Sequence, residues 1–439
     1  MSYRKIAKSQ ELRAKRKRSC AFFIENIIQV LVIIRPDRII QFLFRMLSGL
    51  ESSPQASRRG DPIKSGNDKN KNTGSFSRFL RSYGILIFAL CYMLFASVVD
   101  ARVKGKCKDC HSMHYSNEGN EMTYGNRQGP FPALTQGGCI GCHGQNPNGT
   151  KSIITNGKTR IPQILHHLQN DNLAGGNFYY VADEYNPDYS KGHNIKGISR
   201  QENPPMDVPP AFMKNVLIPG GTGPAYWPGQ QQLTCAGTWG CHGNRTIEDP
   251  GSSIHGAHHA DDSIIDGSTV GKSYRFLYGI QGKEHRDWEY MASITNHNGY
   301  RGNIDHVAID TISYLCGECH GKFHPNPNLG GITEVGHAYN SVWHRHPSDI
   351  SFNTVHGGFA NSEYEGYIQY SLDTPVAFEK PTGGEDSVNA DSIIMCLSCH
   401  RSHASRYTNI LRWDYAEMTA QDNKARTGCI TCHTRKGHE

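Results

Sequence analysis

Apolar positions are thinly spread along this chain, and few stretches keep a periodic pattern long enough to predict an element. Residues 161–170 and 411–421 have the apolar spacing of short helices. Residues 177–181 and 273–280 have the aromatic and β-branched composition of strands. The Pro-rich stretch 203–228 predicts an irregular connection. The pattern therefore predicts a mostly coil fold with short α-helices and few short strands.

The longest apolar run lies near the N-terminus and has the layout of a secretory signal. Residues 84–99 are apolar, Arg78 and Arg81 precede them, and Val99-Asp100-Ala101 is a passable cleavage site. The run is shorter than the roughly 20 residues of a membrane-spanning helix. We expect residues 76–101 to be a signal peptide, with an uncleaved anchor as the alternative.

The residues before this signal are basic and low in periodic pattern. Residues 4–18 carry eight Lys and Arg, 22–34 are apolar but interrupted by Glu25 and Asn26, and 51–75 are rich in Ser, Gly, Asn and Lys. We expect residues 1–75 to be a non-mature or disordered extension, which leaves residues 102–439 as the functional domain. A basic amphipathic segment on a membrane surface is the alternative.

The composition is too poor in hydrophobic residues for side chains alone to form the core of residues 102–439. Only 37% of the chain is hydrophobic, its mean hydropathy is −0.56, and 46 Gly and 21 Pro interrupt regular structure. Residues 1–101 carry 18 Lys and Arg against 7 Asp and Glu, whereas the remainder carries 28 against 33. The basic charge thus belongs to the N-terminal segment, and a nucleic-acid partner is not expected.

Cysteine and histidine recur in the pattern that attaches c-type haem, in which two thiols bond the porphyrin and the following histidine binds the iron. There are five strict copies: Cys107-Cys110-His111, Cys139-Cys142-His143, Cys316-Cys319-His320, Cys396-Cys399-His400 and Cys429-Cys432-His433. A looser copy is Cys235-Cys241-His242, with five residues between the cysteines, where Gly237 and Gly240 allow the extra residues to loop out. Six copies predict about six covalently attached haem c groups, which would supply the missing apolar core.

Two alternatives explain cysteines without haem. Zinc would use four ligands such as Cys316, Cys319, His320 and His324. Disulfides are common in exported proteins. Neither explains why histidine follows the second cysteine in all six copies.

Each haem iron has a second axial position, and 17 further histidines are available for it. His114 and His403 each lie three residues after a motif histidine, a rise of only about 4.5 Å along a helix, so they are better placed to serve a neighbouring haem than their own. At least one of His258 and His259 is expected to bind iron. His193 has no motif near it, and His297 and His346 flank the fourth motif. His166 and His167 are expected on a helix surface, and His324 beside a proximal ligand.

The sequence resembles the multihaem c-type cytochromes with paired CxxCH motifs found in bacteria that pass electrons across their envelope. The similarity runs from about residue 105 to the C-terminus and is most specific at 107–114, 174–181, 191–194, 256–259, 296–298, 343–347 and 396–415. The resemblance implies His114, His193, His258, His297, His346 and His403 as distal ligands. Some of these cytochromes polymerise into extracellular filaments, sometimes with an axial histidine shared between subunits, which suggests a homopolymer here.

Haems with two histidine ligands have no open position for a substrate, so we expect electron transfer and no enzymatic activity. The expected protein is exported to the extracellular space or cell surface, or alternatively the periplasm, and exchanges electrons with other redox cytochromes or extracellular acceptors. The alternative function is a periplasmic reductase with one open haem acting on a small oxyanion. The third motif is where such an exception would lie.

Overall fold

The computed structural model describes residues 103–437, except 115, 118–119, 122–128, 145–148, 169–172, 183–186, 204–205, 214–223, 225, 330–344, 355–358, 361 and 421–426. These residues belong to one compact unit, Ala96–Glu439. The predicted extension 1–75 and signal 76–101 lie outside the described residues, so the predicted domain boundaries stay predictions. Within the described residues, no helix is both long and apolar enough to cross a membrane.

Most of the described chain is coil, as the sequence predicts. The α-helices span one or two turns: α1 (Cys139–His143), α2 (Pro250–Ser253), α3 (Ile312–Gly317), α4 (Cys396–Cys399) and α5 (Cys429–Cys432). The 3₁₀ turns are Cys107–Asp109, Pro132–Leu134, Phe178–Tyr180, Tyr189–Lys191, Ala257–His259, Tyr274–Phe276, Gly321–Phe323, Pro327–Leu329, Thr408–Ile410, Tyr415–Glu417 and Thr434–Gly437.

The strands are equally short and form four antiparallel pairs. They are β1 (Ser116–Asn117) with β2 (Asn120–Glu121), β3 (Ile153–Asn156) with β4 (Thr159–Pro162), β5 (Gly282–Lys283) with β6 (Gly299–Tyr300), and β7 (Ile350–Ser351) with β8 (Ile393–Ile394). The last pair joins distant parts of the chain, with Ile350 opposite Ile394.

Side-chain caps explain where α2 and α3 begin. The Asp249 side chain accepts a hydrogen bond from the Ser252 amide at 2.7 Å, and Pro250 occupies the first turn of α2. The Thr311 hydroxyl accepts from the Tyr314 amide at 3.2 Å at the start of α3. Because these caps satisfy amides that no helical carbonyl can reach, they stabilise helices too short to form alone.

The apolar core is divided into three small clusters. One contains Tyr274, Leu277, Ile280, Tyr300, Ile312, Leu315, Ala377, Ile393, Met395 and Leu397. A second contains Ile350, Phe352, Tyr364, Tyr367, Tyr370, Val376, Val388 and Ile394. The third contains Leu165, Phe178, Val181, Ala182, Ile195 and Ala404. The division agrees with the low hydropathy of the sequence, because no cluster is large enough to organise a unit of this length.

The helix predicted at 161–170 is wrong over its described residues, since its start is the end of β4. Side chains in β4 alternate between buried Thr159 and Ile161 and exposed Arg160, which is the two-residue period of a strand. Asn156 pairs with Thr159 across a two-residue loop, and Gly157 takes a φ of +58° there. A glycine at the first loop position is a hairpin signal.

The strands predicted at 177–181 and 273–280, and the helix predicted at 411–421, are also wrong over the described residues. They contain the turns Phe178–Tyr180, Tyr274–Phe276 and Tyr415–Glu417. Side-chain caps stop two of them from extending, because Asn177 accepts from the Tyr179 amide at 3.0 Å and Asp414 from the Ala416 amide at 3.0 Å. Described residues of the Pro-rich stretch 203–228 form no named helix or strand, as predicted.

Candidate haem-binding sites

The strict cysteine motifs share one backbone hydrogen bond that closes a tight turn. In four of them the histidine amide donates to the carbonyl of the first cysteine: His111 to Cys107 at 2.8 Å, His320 to Cys316 at 2.9 Å, His400 to Cys396 at 3.1 Å and His433 to Cys429 at 2.9 Å. The remaining strict motif, Cys139-Cys142-His143, forms α1 throughout. This turn holds both thiols and the imidazole on a short, rigid segment.

The wide third motif closes through the same bond despite its longer spacing. The His242 amide donates to the Cys235 carbonyl at 3.0 Å, and the Cys241 amide donates to the same carbonyl at 3.3 Å. The intervening residues form a separate loop in which Gly237 has a φ of +83°. A Cβ on Gly240 would lie 2.6 Å from the Thr234 carbonyl oxygen, so only glycine fits. The loop leaves the turn between the first cysteine and the histidine intact.

Each motif histidine uses its Nδ1 atom in a contact with a protein oxygen. In five of them the oxygen is a carbonyl that accepts a hydrogen bond: Ala133 for His111 (3.0 Å), Pro162 for His143 (3.0 Å), Arg275 for His242 (2.8 Å), Pro210 for His320 (2.8 Å) and Asn409 for His400 (2.8 Å). The His433 Nδ1 instead lies 3.3 Å from the Glu363 carboxylate. An Nδ1–H donor fixes the tautomer and leaves the Nε2 lone pair free for a metal.

Three of those carbonyls come from a recurring turn, here called the left-handed turns: Pro132–Leu134, Tyr274–Phe276 and Thr408–Ile410. Both residues after the first have positive φ in each, between 49° and 60°. The carbonyl of the second residue of each turn faces the imidazole. The carbonyl of the third residue accepts a hydrogen bond from the amide of the residue after the histidine: Leu134 from Ser112 and Ile410 from Arg401, both at 2.8 Å. Left-handed backbone in residues other than glycine costs energy and collects at functional sites.

A second histidine ring faces five of the six motif histidines. The ring centroids lie 6.2 Å apart for His111 and His259, 6.3 Å for His143 and His258, 6.3 Å for His242 and His403, 6.2 Å for His320 and His193, and 6.2 Å for His433 and His346. Two imidazoles that share one metal through nitrogen bonds of about 2 Å have centroids about 6 Å apart. The five pairs therefore fit one iron between each two rings.

Desolvation favours the neutral form of two of the facing histidines, His193 and His403. It lowers the pKa of His193 to about 4 and that of His403 to about 3. The His193 Nδ1 also donates to the Ser402 carbonyl at 2.9 Å, and the His193 amide donates to the His403 carbonyl at 3.0 Å. The two facing histidines of the third and fourth motifs are thus tied together by backbone.

The structure brings four of the six expected distal histidines to a motif histidine: His193, His258, His346 and His403. It adds His259, which stands opposite His111 where the sequence offered only a choice between neighbours. The side chain of His114 is exposed. Within the described part of the chain, no histidine ring is placed opposite His400.

His297, the remaining expected distal ligand, is placed elsewhere. Its ring is stacked on Tyr370 with centroids 3.8 Å apart, its Nδ1 contacts the Asn298 carbonyl at 2.8 Å and its Nε2 contacts the Glu385 carbonyl at 3.0 Å. Both ring nitrogens are occupied, so His297 contributes to packing between the 297–298 and 385 segments. The structure does not bring it to a motif histidine.

Two further histidines, His166 and His324, are almost fully buried. His166 is buried at 1% exposure, where the sequence predicts a helix surface, because the Asn177 side chain donates to its carbonyl at 2.8 Å. His324 is equally buried, and its Nε2 lies 2.7 Å from the Asp349 carboxylate.

Neither alternative use of the cysteines is present in the described residues. All twelve motif cysteines are free of disulfides. Between residues 103 and 437, outside the gaps, no group of three or more His, Cys, Asp or Glu side chains is arranged to hold a metal ion. His324 points its Nε2 to Asp349 instead of joining Cys316 and Cys319.

Neighbouring motifs meet through their thiols in the order of the sequence. A hydrogen bond from Cys235 lowers the pKa of Cys139 to about 7, and one from Cys316 does the same for Cys396. The second motif therefore adjoins the third, and the fourth adjoins the fifth.

Weaker electrostatic effects connect the remaining neighbours. Burial raises the pKa of Cys142 to about 11 and that of Cys399 to about 12, and nearby Cys110 and Cys429 add to these increases. Burial raises the pKa of Cys319 to about 11, with a contribution from Cys241. Because such effects require proximity, the six motifs form one continuous series from first to last.

Residues 388–438 match the family model described as the doubled CXXCH motif, which covers the fifth and sixth motifs. No curated protein sequence matches the chain. Two solved structures from Geobacter sulfurreducens are similar to it: a filament of outer membrane cytochrome S and the OmcS nanowires seen by cryo-EM. Both share 18% identity and cover 77% of this chain and 92% of theirs, with TM-scores of 0.38 and 0.39. The five strict motifs, two of which lie in the matched doubled motif, are typical of multihaem c-type cytochromes with paired CxxCH motifs.

Proposed function

We propose that the chain is an electron conduit in which six haem c groups, each bound by two histidines, are arranged in series. The observation that carries this proposal is the set of five imidazole pairs with centroids 6.2 to 6.3 Å apart. The assigned pairs are His111 with His259, His143 with His258, His242 with His403, His320 with His193 and His433 with His346. His259 thus joins the proposed set of distal ligands, and His297 does not belong to it.

The chain and its cofactors have separate tasks in this function. Bis-histidine haem c supplies a one-electron couple without an open coordination position, which suits electron transfer. The chain holds the porphyrins by thioether bonds, presents a neutral imidazole to each face and orients the proximal ring through its Nδ1 contact. It also sets the order of sites, because each motif adjoins the next in sequence. These tasks require no enzymatic step.

The site at His400 suggests how one chain joins another. No ring of a described residue faces His400, and exposed His114 lies too near His111 along the chain to reach the opposite side of its own haem. We infer that His114 of one copy completes the His400 site of the next, so that the copies form a homopolymer. A head-to-tail contact of this kind builds an open chain unless its rotation closes a ring.

His114→Ala tests this assembly, with His167→Ala as an exposed-histidine control. Electron microscopy of the secreted wild-type protein and the control should show filaments, whereas His114→Ala should give dispersed chains. In those chains one haem of six should change from low spin to high spin in electron paramagnetic resonance. Filaments formed by His114→Ala would overturn the shared ligation.

The reductase alternative was expected at the third motif, but His403 faces His242 there. An open haem would instead lie at His400, if its iron had a single histidine ligand. Carbon monoxide titration of the reduced protein separates the two functions. The conduit predicts no binding by the assembled protein and one equivalent by dispersed His114→Ala. Binding of one equivalent by the assembled wild-type protein would favour a reductase acting on a small oxyanion.

Location follows from the predicted signal at 76–101. The conduit is exported to the cell surface or beyond, where other cytochromes or extracellular acceptors exchange electrons with it. N-terminal sequencing of the isolated protein checks both the export and the domain limits. A first residue near Arg102 agrees with them, and a start before residue 76 refutes the assignment of 1–75 as non-mature.

A further inference from the structure

A buried ion pair joins the third and fourth haem motifs. Arg245 lies three residues after His242, and Glu318 lies between the two cysteines of the fourth motif, Cys316 and Cys319. The Arg245 guanidinium contacts the Glu318 carboxylate, and each side chain is only 3% exposed. The pair is a direct polar connection between two segments that are far apart in sequence.

Local structure fixes the segment that carries Arg245. Gly243 takes a φ of +77°, and a Cβ there would lie 2.4 Å from the Ser253 hydroxyl, so the chain turns sharply just after His242. The Asn244 amide donates to the Ser253 carbonyl at 2.9 Å, and the Thr238 hydroxyl donates to the Arg245 carbonyl at 2.9 Å. These bonds fix the backbone on both sides of the turn.

Glu318 is held equally firmly. It caps the C-terminal end of α3, where its amide donates to the Tyr314 carbonyl at 3.1 Å. The residues between Cys316 and Cys319 cannot move without displacing both attachment points of the fourth haem. Both partners of the pair therefore sit on segments whose position the thioether bonds also fix.

Stability does not account for such a pair. Removing two charges from water costs about as much as their attraction returns, and apolar replacements of similar volume are often as stable. The pair instead places a fixed positive and a fixed negative charge among thiols of both motifs. Arg245 is three residues from His242 and Glu318 is next to Cys319, so the charges of the pair lie close to both attachment sites.

We infer that Glu318 neutralises the buried Arg245 guanidinium at the junction of the third and fourth haems and thereby keeps the reduction potentials of both haems from rising. This inference rests on the proposed function, since it requires haem c at both motifs. Reduction adds one electron to a site and lowers its charge by one. An unbalanced positive charge beside the site favours the reduced state, and a neutral pair favours neither state strongly.

The sign of the change gives the test. Glu318→Gln keeps the side-chain shape but leaves the guanidinium without its counter-charge, so two haem equivalents should shift to higher potential in a spectroelectrochemical titration. The double variant Arg245→Met with Glu318→Gln removes both charges and should return those equivalents toward the wild-type potential. Glu417→Gln, the same change at an exposed position, should shift none.

Intact mass and haem absorbance separate this inference from the proposed function. A wild-type chain that carries no haem at the third or fourth motif refutes the function itself. With six haems present in every variant, unchanged or lower potentials in Glu318→Gln overturn the inference. A double variant shifted as far as the single variant also overturns it, because a structural disturbance would then explain the change.

Discussion

A single methyl group at Gly176 should disturb the site of the third haem. Gly176 has a φ of +90°, and a Cβ there would lie 2.0 Å from the Ala404 carbonyl oxygen. The same segment holds His403, because the His403 amide donates to the Gly175 carbonyl at 2.7 Å and the Asn177 amide donates to the Ala404 carbonyl at 3.2 Å. Gly176→Ala must therefore push the segment carrying His403 away from its neighbours.

Gly279 provides the matched control. Its φ of +88° is almost the same, but nothing lies within 4 Å of an added Cβ. Both alanine variants pay the left-handed backbone cost of about 1–2 kcal/mol. Gly176→Ala adds the overpacking cost of about 1–3 kcal/mol, since the contacting atom belongs to backbone and cannot rotate away. We therefore expect Gly176→Ala to be less stable than Gly279→Ala by about 1–3 kcal/mol.

Guanidinium denaturation of the haem-loaded protein, followed by far-ultraviolet circular dichroism, measures the difference in free energy of unfolding. Paramagnetic resonance reports the site itself, where Gly176→Ala should show a high-spin fraction at one haem and Gly279→Ala should show none. Equal stability of the two variants, with six low-spin haems in both, would refute the assigned contact between residues 175–177 and 403–404.

Three further outcomes follow from the haem sites. Asn409→Val should lower the free energy of unfolding by about 1–2 kcal/mol relative to Asn409→Gly, because a β-branched side chain disfavours the left-handed φ of 58°. Equal denaturation midpoints of the two variants would contradict the claim that this backbone is strained. Deletion of residues 236–238 makes the third motif strict and should leave six haems by intact mass, whereas a loss of one haem would show that the loop is needed. His259→Ala should create one high-spin haem and His297→Gln none, and the reverse result would restore the ligand expected from sequence.

The short helices and turns at the cysteine motifs were predictable, because attachment of two thiols to one porphyrin requires short, fixed spacing. The third motif was also predictable, since two glycines suggested a looped insertion and the histidine directly follows the second cysteine. What no spacing rule contains is the closing bond from the His242 amide to the Cys235 carbonyl. That bond shows why insertion before the second cysteine is tolerated.

The histidines that face the motif histidines were harder to predict because they are distant from them in sequence. His258 and His259 are adjacent, and both face a motif histidine because the turn Ala257–His259 directs consecutive side chains to different sites. His297 also precedes the fourth motif in the sequence, as His258 and His259 do. Its two ring nitrogens, however, contact backbone carbonyls. Hydrogen-bond partners distinguish a ligand from a packing residue, and sequence alone does not supply them.

The positions of helices, strands and turns were predicted least well. The signal missed at 153–162 was a glycine turn following Asn156, which was present in the sequence. The left-handed turns had no such signal, because Ala133 and Arg275 do not favour positive φ intrinsically. They form where their carbonyls accept hydrogen bonds from the motif histidine and from the following amide. These tertiary hydrogen bonds offset the energetic cost of the left-handed backbone.

The pairing of motifs with histidines has a consequence for how the protein is made. Synthesis begins at the N-terminus, yet the partners of the first two motif histidines, His259 and His258, emerge only after the third motif. The partner of His242 emerges after the fifth, whereas the partner of His320, His193, is made beforehand. With the proposed pairing, haem attachment in the order of synthesis would give half-ligated intermediates at the first three sites, and termination between residues 242 and 258 would leave three cofactors incompletely ligated.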